Sequence, residues 1–173
     1  MVKAIVSLVD GLNLKDPEAQ LEITFDNEYL IIVEHAYKGF KRNVENTFKI
    51  PLANFLESTL TTDKDMGEVQ KSVIGRGIVG GLIFGPAGLV LGGMSGIGTK
   101  KGKTLQVYIV SYVSSSGDIN NITFKMPLPM VSVTRKFDQL LKKNMQLVLR
   151  SEAALKILGD MADQKSGPSE TIL

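Results

Sequence analysis

The chain has 173 residues, 20 basic against 18 acidic side chains for a net charge of +2, 43% hydrophobic and 22% charged residues, and no cysteine. Such a composition excludes wholesale disorder, disulfide and thiolate chemistry, and nucleic-acid binding driven by overall charge. One domain with a sizeable core is the expectation at this length.

The apolar run from Ala4 to Val9 ends at Asp10-Gly11, too short for a signal-peptide core, so a cytoplasmic location is expected. Lys3 to Val9 reads as a strand and Asp10-Gly11 as a turn. Leu21 to Phe25 alternates apolar and polar residues, the period of a half-buried strand. Asp26-Asn27 supplies a turn into Tyr29 to Glu34, rich in β-branched and aromatic side chains. A polar, basic link, Lys38 to Asn46, then leads to strands at Thr47 to Leu52 and Phe55 to Thr62. Further on, Leu105, Val107 and Ile109 share one face of a long strand and Tyr108, Val110 and Tyr112 the other, and Ile122, Phe124 and Met126 alternate again. Pro127 and Pro129 end that strand, because proline cannot donate to a ladder.

The period then changes. Val133, Phe137, Leu140, Leu141, Asn144, Met145 and Val148 form the stripe of an amphipathic helix, with Arg135, Lys136, Lys142 and Lys143 on its wet side. A short helix from Ser151 to Met161 follows, Ser151 being its cap, and the polar tail from Gln164 reads as mobile. Six or seven short strands and one amphipathic helix suggest a mainly β fold with α, a small antiparallel barrel whose edges are protected by curling and capping.

The pieces VDGLNL, LEITFDNEYLIIV, FKIPLANFLES, TLQVYIVSY, NITFKMP and VTRKFDQLLKKN come in an order that resembles bacterial pleckstrin-homology-like (PH-like) domains, over roughly residues 4–148. The resemblance implies a binding or scaffolding barrel without catalytic residues, and a glycine-rich insert between strands looks like what some bacterial members carry. The expected organisation is a PH-like domain over 1–150, interrupted by a glycine-rich insert at 71–104, with a short helix and tail at 151–173.

That insert is the unusual part of the chain. From Gly77 to Gly98 there are 22 residues without a charge, nine of them glycine. Gly77, Gly81 and Gly85 fall at four-residue steps, as do Gly88, Gly92 and Gly96, with Pro86-Ala87 between the two sets. Nine glycines in a helix cost roughly 9 kcal/mol relative to alanine, which no lone helix absorbs. Four-residue spacing is useful where a flat ridge lets another backbone approach closely. Pro86 would break a continuous helix. The expectation is therefore a helical hairpin turning at Pro86-Ala87, its ridges facing each other or another copy.

A straight helix of that length would reach about 33 Å and span a bilayer core of about 30 Å. One crossing, however, would put the two halves of a single barrel on opposite sides of the membrane, and hairpin arms of about 12 residues reach only about 18 Å. Self-association, insertion into one leaflet or contact with a membrane surface, and a flexible glycine loop remain open. Arg76, Lys100, Lys101 and Lys103 flank the apolar segment and are candidates for anionic headgroups, at about 1 kcal/mol each; equally, they mark where a hairpin emerges into water.

A second basic cluster, Lys38, Lys41 and Arg42 around Phe40, is a candidate for lipid phosphate or a solvated hairpin loop. Gly75 to Gly80 satisfies a dinucleotide-binding pattern, but no strand precedes it and no acidic residue follows near position 95. Gly102-Lys103-Thr104 lacks the leading glycine of a phosphate loop, since position 97 is Ile97. His35, the only histidine, makes no zinc cluster without cysteine. Asp63, Asp65 and Glu68 lack calcium-hand spacing. No catalytic residue, metal or cofactor is expected, nucleic acid and small-molecule substrates are not expected partners, and the expected partners are a second copy and a membrane surface. A peripheral anionic-lipid module and a membrane-perturbing effector are the alternatives.

Overall fold

The computed structural model describes residues 2–38, 41–65 and 104–163, side chains excepted at 37, 38 and 160–163. Seven strands follow in chain order: β1 (Ala4–Asp10), β2 (Gln20–Phe25), β3 (Tyr29–Lys38), β4 (Lys41–Pro51), β5 (Phe55–Thr62), β6 (Gln106–Val113) and β7 (Ile119–Met126). Two helices close the described chain, α1 (Val131–Met145) and α2 (Glu152–Asp163). Every neighbouring pair is antiparallel, in the order β4-β3-β2-β1-β7-β6-β5.

The sheet curls around one core. Its two edge strands, β4 and β5, are joined by a single 3-10 turn, Leu52–Asn54, and Ile50 and Phe55 on either side of it belong to the same buried cluster. Alternate residues of the other strands complete that cluster: Ala4 and Val6, Leu21 and Ile23, Leu30 and Ile32, Tyr108 and Val110, Ile122 and Phe124. From α1, Phe137, Leu141 and Met145 enter the same core, and Phe137 meets Phe25 edge-on at 5.6 Å between centroids. The period-two and period-3.6 patterns thus converge on one apolar interior.

Three expectations are corrected. Lys38 to Asn46 is no link: β4 begins at Lys41 and pairs with β3 over its whole length, interrupted by a bulge at Glu34/His35. The buried face of α1 carries Thr134, Phe137, Asp138, Leu141 and Met145, so two polar residues point inward while Leu140 is exposed. The last helix runs to Asp163, two residues beyond the expected end. Its cap is as expected: the Ala154 N–H donates to Ser151 Oγ at 3.2 Å. Ala154 packs with Leu56 and Val113 on the outer side of the sheet, flanked by Ile157 and Leu158. Leu56 reaches that side because a bulge between Phe55 and Glu57 breaks the alternation of β5.

Gly11 is needed at the end of β1. Its φ of +100° is a left-handed backbone, and a Cβ there would lie 2.3 Å from the backbone oxygen of Asn121.

Phe137→Ala should destabilise the chain by about 3–5 kcal/mol through lost transfer energy and the cavity left in the core. Urea denaturation followed by circular dichroism measures it; a loss under about 1 kcal/mol would mean that α1 does not close the interior.

Candidate functional site

The glycine-rich stretch leaves and re-enters the fold at one place. Thr62 and Gln106 form the last pair of the β5–β6 ladder, and just beyond it the Asp63 N–H donates to the Leu105 carbonyl at 3.0 Å. In return, the Leu105 N–H donates to Asp63 Oδ1 at 2.9 Å. Thr62 Oγ1 donates to Asp65 Oδ2 at 2.5 Å and the Asp65 N–H to the Thr62 carbonyl at 3.1 Å, which turns the outgoing chain. This neck holds the two ends side by side. The ridge residues Gly77, Gly81, Gly85, Gly88, Gly92 and Gly96, the turn at Pro86-Ala87, and the flanking cations Arg76, Lys100, Lys101 and Lys103 all lie outside the described residues.

The second basic cluster sits elsewhere. Lys38 faces Lys41 as the outermost pair of the β3–β4 ladder, and Arg42 faces Tyr37. Arg42 Nη2 donates to Glu22 Oε2 at 2.8 Å, and Lys3 Nζ reaches the same oxygen at 2.9 Å. Partial burial pushes the Glu22 carboxyl up, but the bonds from Arg42 and Lys3 outweigh it and hold the group below its ordinary value. Nearby, Lys15 pairs with Glu45 at 2.9 Å. The structure therefore brings Lys41 and Arg42 onto one strand edge, with the Arg42 charge already engaged. By register, this tip shares its set of strand ends with the β1–β2 and β6–β7 connections, whereas the neck shares the other set with the β2–β3 turn.

Two buried carboxylates went unnoticed in the sequence. Asp138 of α1 accepts a short hydrogen bond from Ser58 Oγ and a 3.3 Å bond from the Tyr108 hydroxyl, and it pairs with Lys142 Nζ at 2.8 Å. Burial, and then the Asp138 charge, raise the Tyr108 phenol well above its ordinary value, so the hydroxyl stays protonated as a donor. One carboxylate thus bolts α1 to both strands that carry the neck. Glu34 of β3 accepts from the Asp16 N–H at 2.9 Å and from Asn46 Nδ2 at 2.5 Å, fixing the β1–β2 connection over one end of the barrel. The available signal was a polar residue at a core-facing position: Ser58 falls in register with Val110, and Glu34 two places after Ile32.

Neither arrangement is a nucleophile with a base. Ser58 meets a carboxylate with no imidazole between them, and His35 lies on the opposite face of β3 from Glu34. Among the described residues no group of three histidine or acidic side chains is placed to hold a metal, and no helix is long and apolar enough to cross a membrane.

A model of the family described as "Glycine zipper containing PH domain" matches residues 12–125, a span that includes β2 to β6, the glycine-rich stretch and most of β7. No curated protein and no solved structure matches the chain.

Asp138→Ala removes the acceptor of two buried hydroxyls and should cost about 3 kcal/mol in a urea titration. Ser58→Ala, which leaves Asp138 its other two partners, should cost less than half as much; equal losses would argue against a shared carboxylate.

Proposed function

The chain belongs to the family of glycine-zipper-containing PH domains, and on that footing we propose that it is a non-catalytic interaction module that assembles with copies of itself through its glycine-ridged segment. The assembly works in the cytoplasm, against a membrane surface where one is offered. In this reading residues 1–150 form the PH-like body, 71–104 the inserted hairpin, and 151–173 an appended helix and tail.

The observation that carries the proposal is the pairing of Thr62 with Gln106. It supports a projecting finger over a linker between two bodies, because both ends of the segment start from one ladder rung. It also supports an even number of membrane passes: strands hydrogen-bonded to each other cannot lie on opposite sides of a bilayer. An apolar finger with four-residue glycine spacing, too short for two full spans, finds its close-packing partner in its own other arm or in a second copy.

A peripheral anionic-lipid module using Lys38, Lys41 and Arg42, with the segment as anchor, draws less support. Arg42 is committed to Glu22, and the tip occupies the strand ends away from the neck, so one flat surface would not meet both. A membrane-perturbing effector has no observation in its favour.

The neck also supplies a clean test. Since the Asp63 N–H bonds the Leu105 carbonyl across the ladder, residues 64–104 can be replaced by a two-residue Asn-Gly turn, which closes an antiparallel hairpin on that hydrogen-bonded pair. Light scattering without detergent should give a monomer for the shortened chain and an oligomer for the full chain. Gly81→Leu with Gly92→Leu should reduce the oligomer, and equal monomer masses for all three would overturn self-assembly. Flotation of the full chain with anionic liposomes reads the membrane contact separately: binding that survives Lys41→Gln with Arg42→Gln assigns it to the segment, whereas salt-sensitive binding abolished by those changes would favour the lipid module.

A further inference from the structure

His35 is the chain's only histidine, and both of its ring nitrogens are shielded from solvent without a hydrogen bond among the described residues. It stands at the point where the β3–β4 ladder changes character. Before the bulge at Glu34/His35, Tyr29 to Glu34 pairs with Asn46 to Pro51, and Leu30, Ile32 and Ile50 from those rungs lie in the core. Beyond the bulge, His35 to Lys38 pairs with Lys41 to Val44, whose side chains are all exposed, Val44 by 62%. The outer rungs therefore bury little apolar surface and are the part of the hairpin that opens most readily.

The charges around the ring are already unbalanced. On the outer face of the sheet, Arg42 comes from β4, Lys3 from the residue before β1 and Glu22 from β2, and Glu22 already accepts from both cations. Of the other carboxylates near His35, Glu34 points inward and is occupied by Asp16 and Asn46, and Glu45, on the β4 side of the bulge, pairs with Lys15. A proton on the imidazole adds a third cation beside one carboxylate that two cations already share, on a ring whose nitrogens are shielded from solvent.

We infer that His35 is an acid-operated release for the outer half of the β3–β4 hairpin: protonation of its ring opens the rungs beyond the bulge and frees Arg42 from Glu22, while the barrel below stays folded. The direction of titration agrees. Burial holds the imidazole below its ordinary 6.5, Arg42 and Lys3 add to this, and Glu22 and the backbone of Asn43 oppose it less strongly. The opened state thus binds the proton more tightly than the closed one. The closing free energy is fully present above about 6.5 and is lost as pH falls from there through the lowered closed-state value.

Amide hydrogen exchange on the full chain, resolved by NMR and corrected for intrinsic rates, tests the release. As pH falls from about 7.5 to about 5, the opening constants of Ala36, Asn43 and Val44 should rise by up to about tenfold per pH unit through the window, while those of Ile23, Ile32 and Tyr108 hold. His35→Phe should abolish the pH dependence. Should that variant fail to fold, Arg42→Met keeps the ring, and the single histidine resonance should titrate higher than in the parent. Core amides opening together with the outer rungs, an undiminished acid response in His35→Phe, or an unmoved resonance in Arg42→Met would each overturn the inference.

Discussion

The antiparallel pairing of β5 with β6 is the constraint on which the rest depends. These strands are separated by a long glycine-rich stretch, yet they are hydrogen-bonded from Phe55/Tyr112 to Thr62/Gln106. Closing so long a loop costs only slightly more than closing a short one, because the entropic penalty grows with the logarithm of length. A modest apolar payment on each side suffices: Phe55 and Leu60 on β5, and Tyr108, Val110 and Tyr112 on β6, all pack on the common core. Asp138 then reaches across from α1 to donors on both strands, so α1 and the neck are parts of one mechanical unit.

Much of this was legible because burial leaves a periodic trace. β2, β6 and β7 showed alternation and the long helix its stripe, since each presents one face to the interior. The first half of β4 left none. Lys41 to Val44 is an edge segment with every side chain exposed, so backbone pairing with β3 holds it and no hydrophobic pattern announces it. The helix stripe was rotated for a related reason: Thr134 and Asp138 sit inside, and a polar residue is legible as buried only once its partner is known. Asp138 needs Ser58 and Tyr108, distant in the chain and brought to it by the fold. The glycine ridges are the reverse case, plain in the sequence while lying outside the described residues.

Charge placement separates two readings that composition alone could not. Basic clusters at Lys38 to Arg42 and at the flanks of the glycine segment invite a single anionic surface to meet both. The register sets the hairpin tip and the neck at opposite ends of the strands, and Glu22 accepts a bond from Arg42 as well as from Lys3. A cation held in a carboxylate pair contributes little to a distant headgroup while the pair persists, since its field is largely cancelled beyond a Debye length. The closed tip therefore keeps a positive excess, with Arg42 held in place by a carboxylate that it shares with Lys3. It becomes a different surface only if that pair is broken.

The two ends of the barrel thus carry different kinds of attachment. At the neck, Asp63 and Leu105 tie the chain twice, so whatever force the glycine segment transmits arrives at two hydrogen-bonded strands and, through Asp138, at α1. At the tip, four rungs beyond a bulge are held by backbone pairing and by a salt bridge in which one carboxylate serves two cations. Stability is accordingly graded along the strands, high where apolar side chains from several strands interlock and low where only the edge remains. For the self-assembly proposed above, this places the less tightly held rungs of β3–β4 at the strand ends away from the neck. No side chain of Lys41 to Val44 belongs to the core that joins the strands, so the outermost rungs are energetically separate from the root.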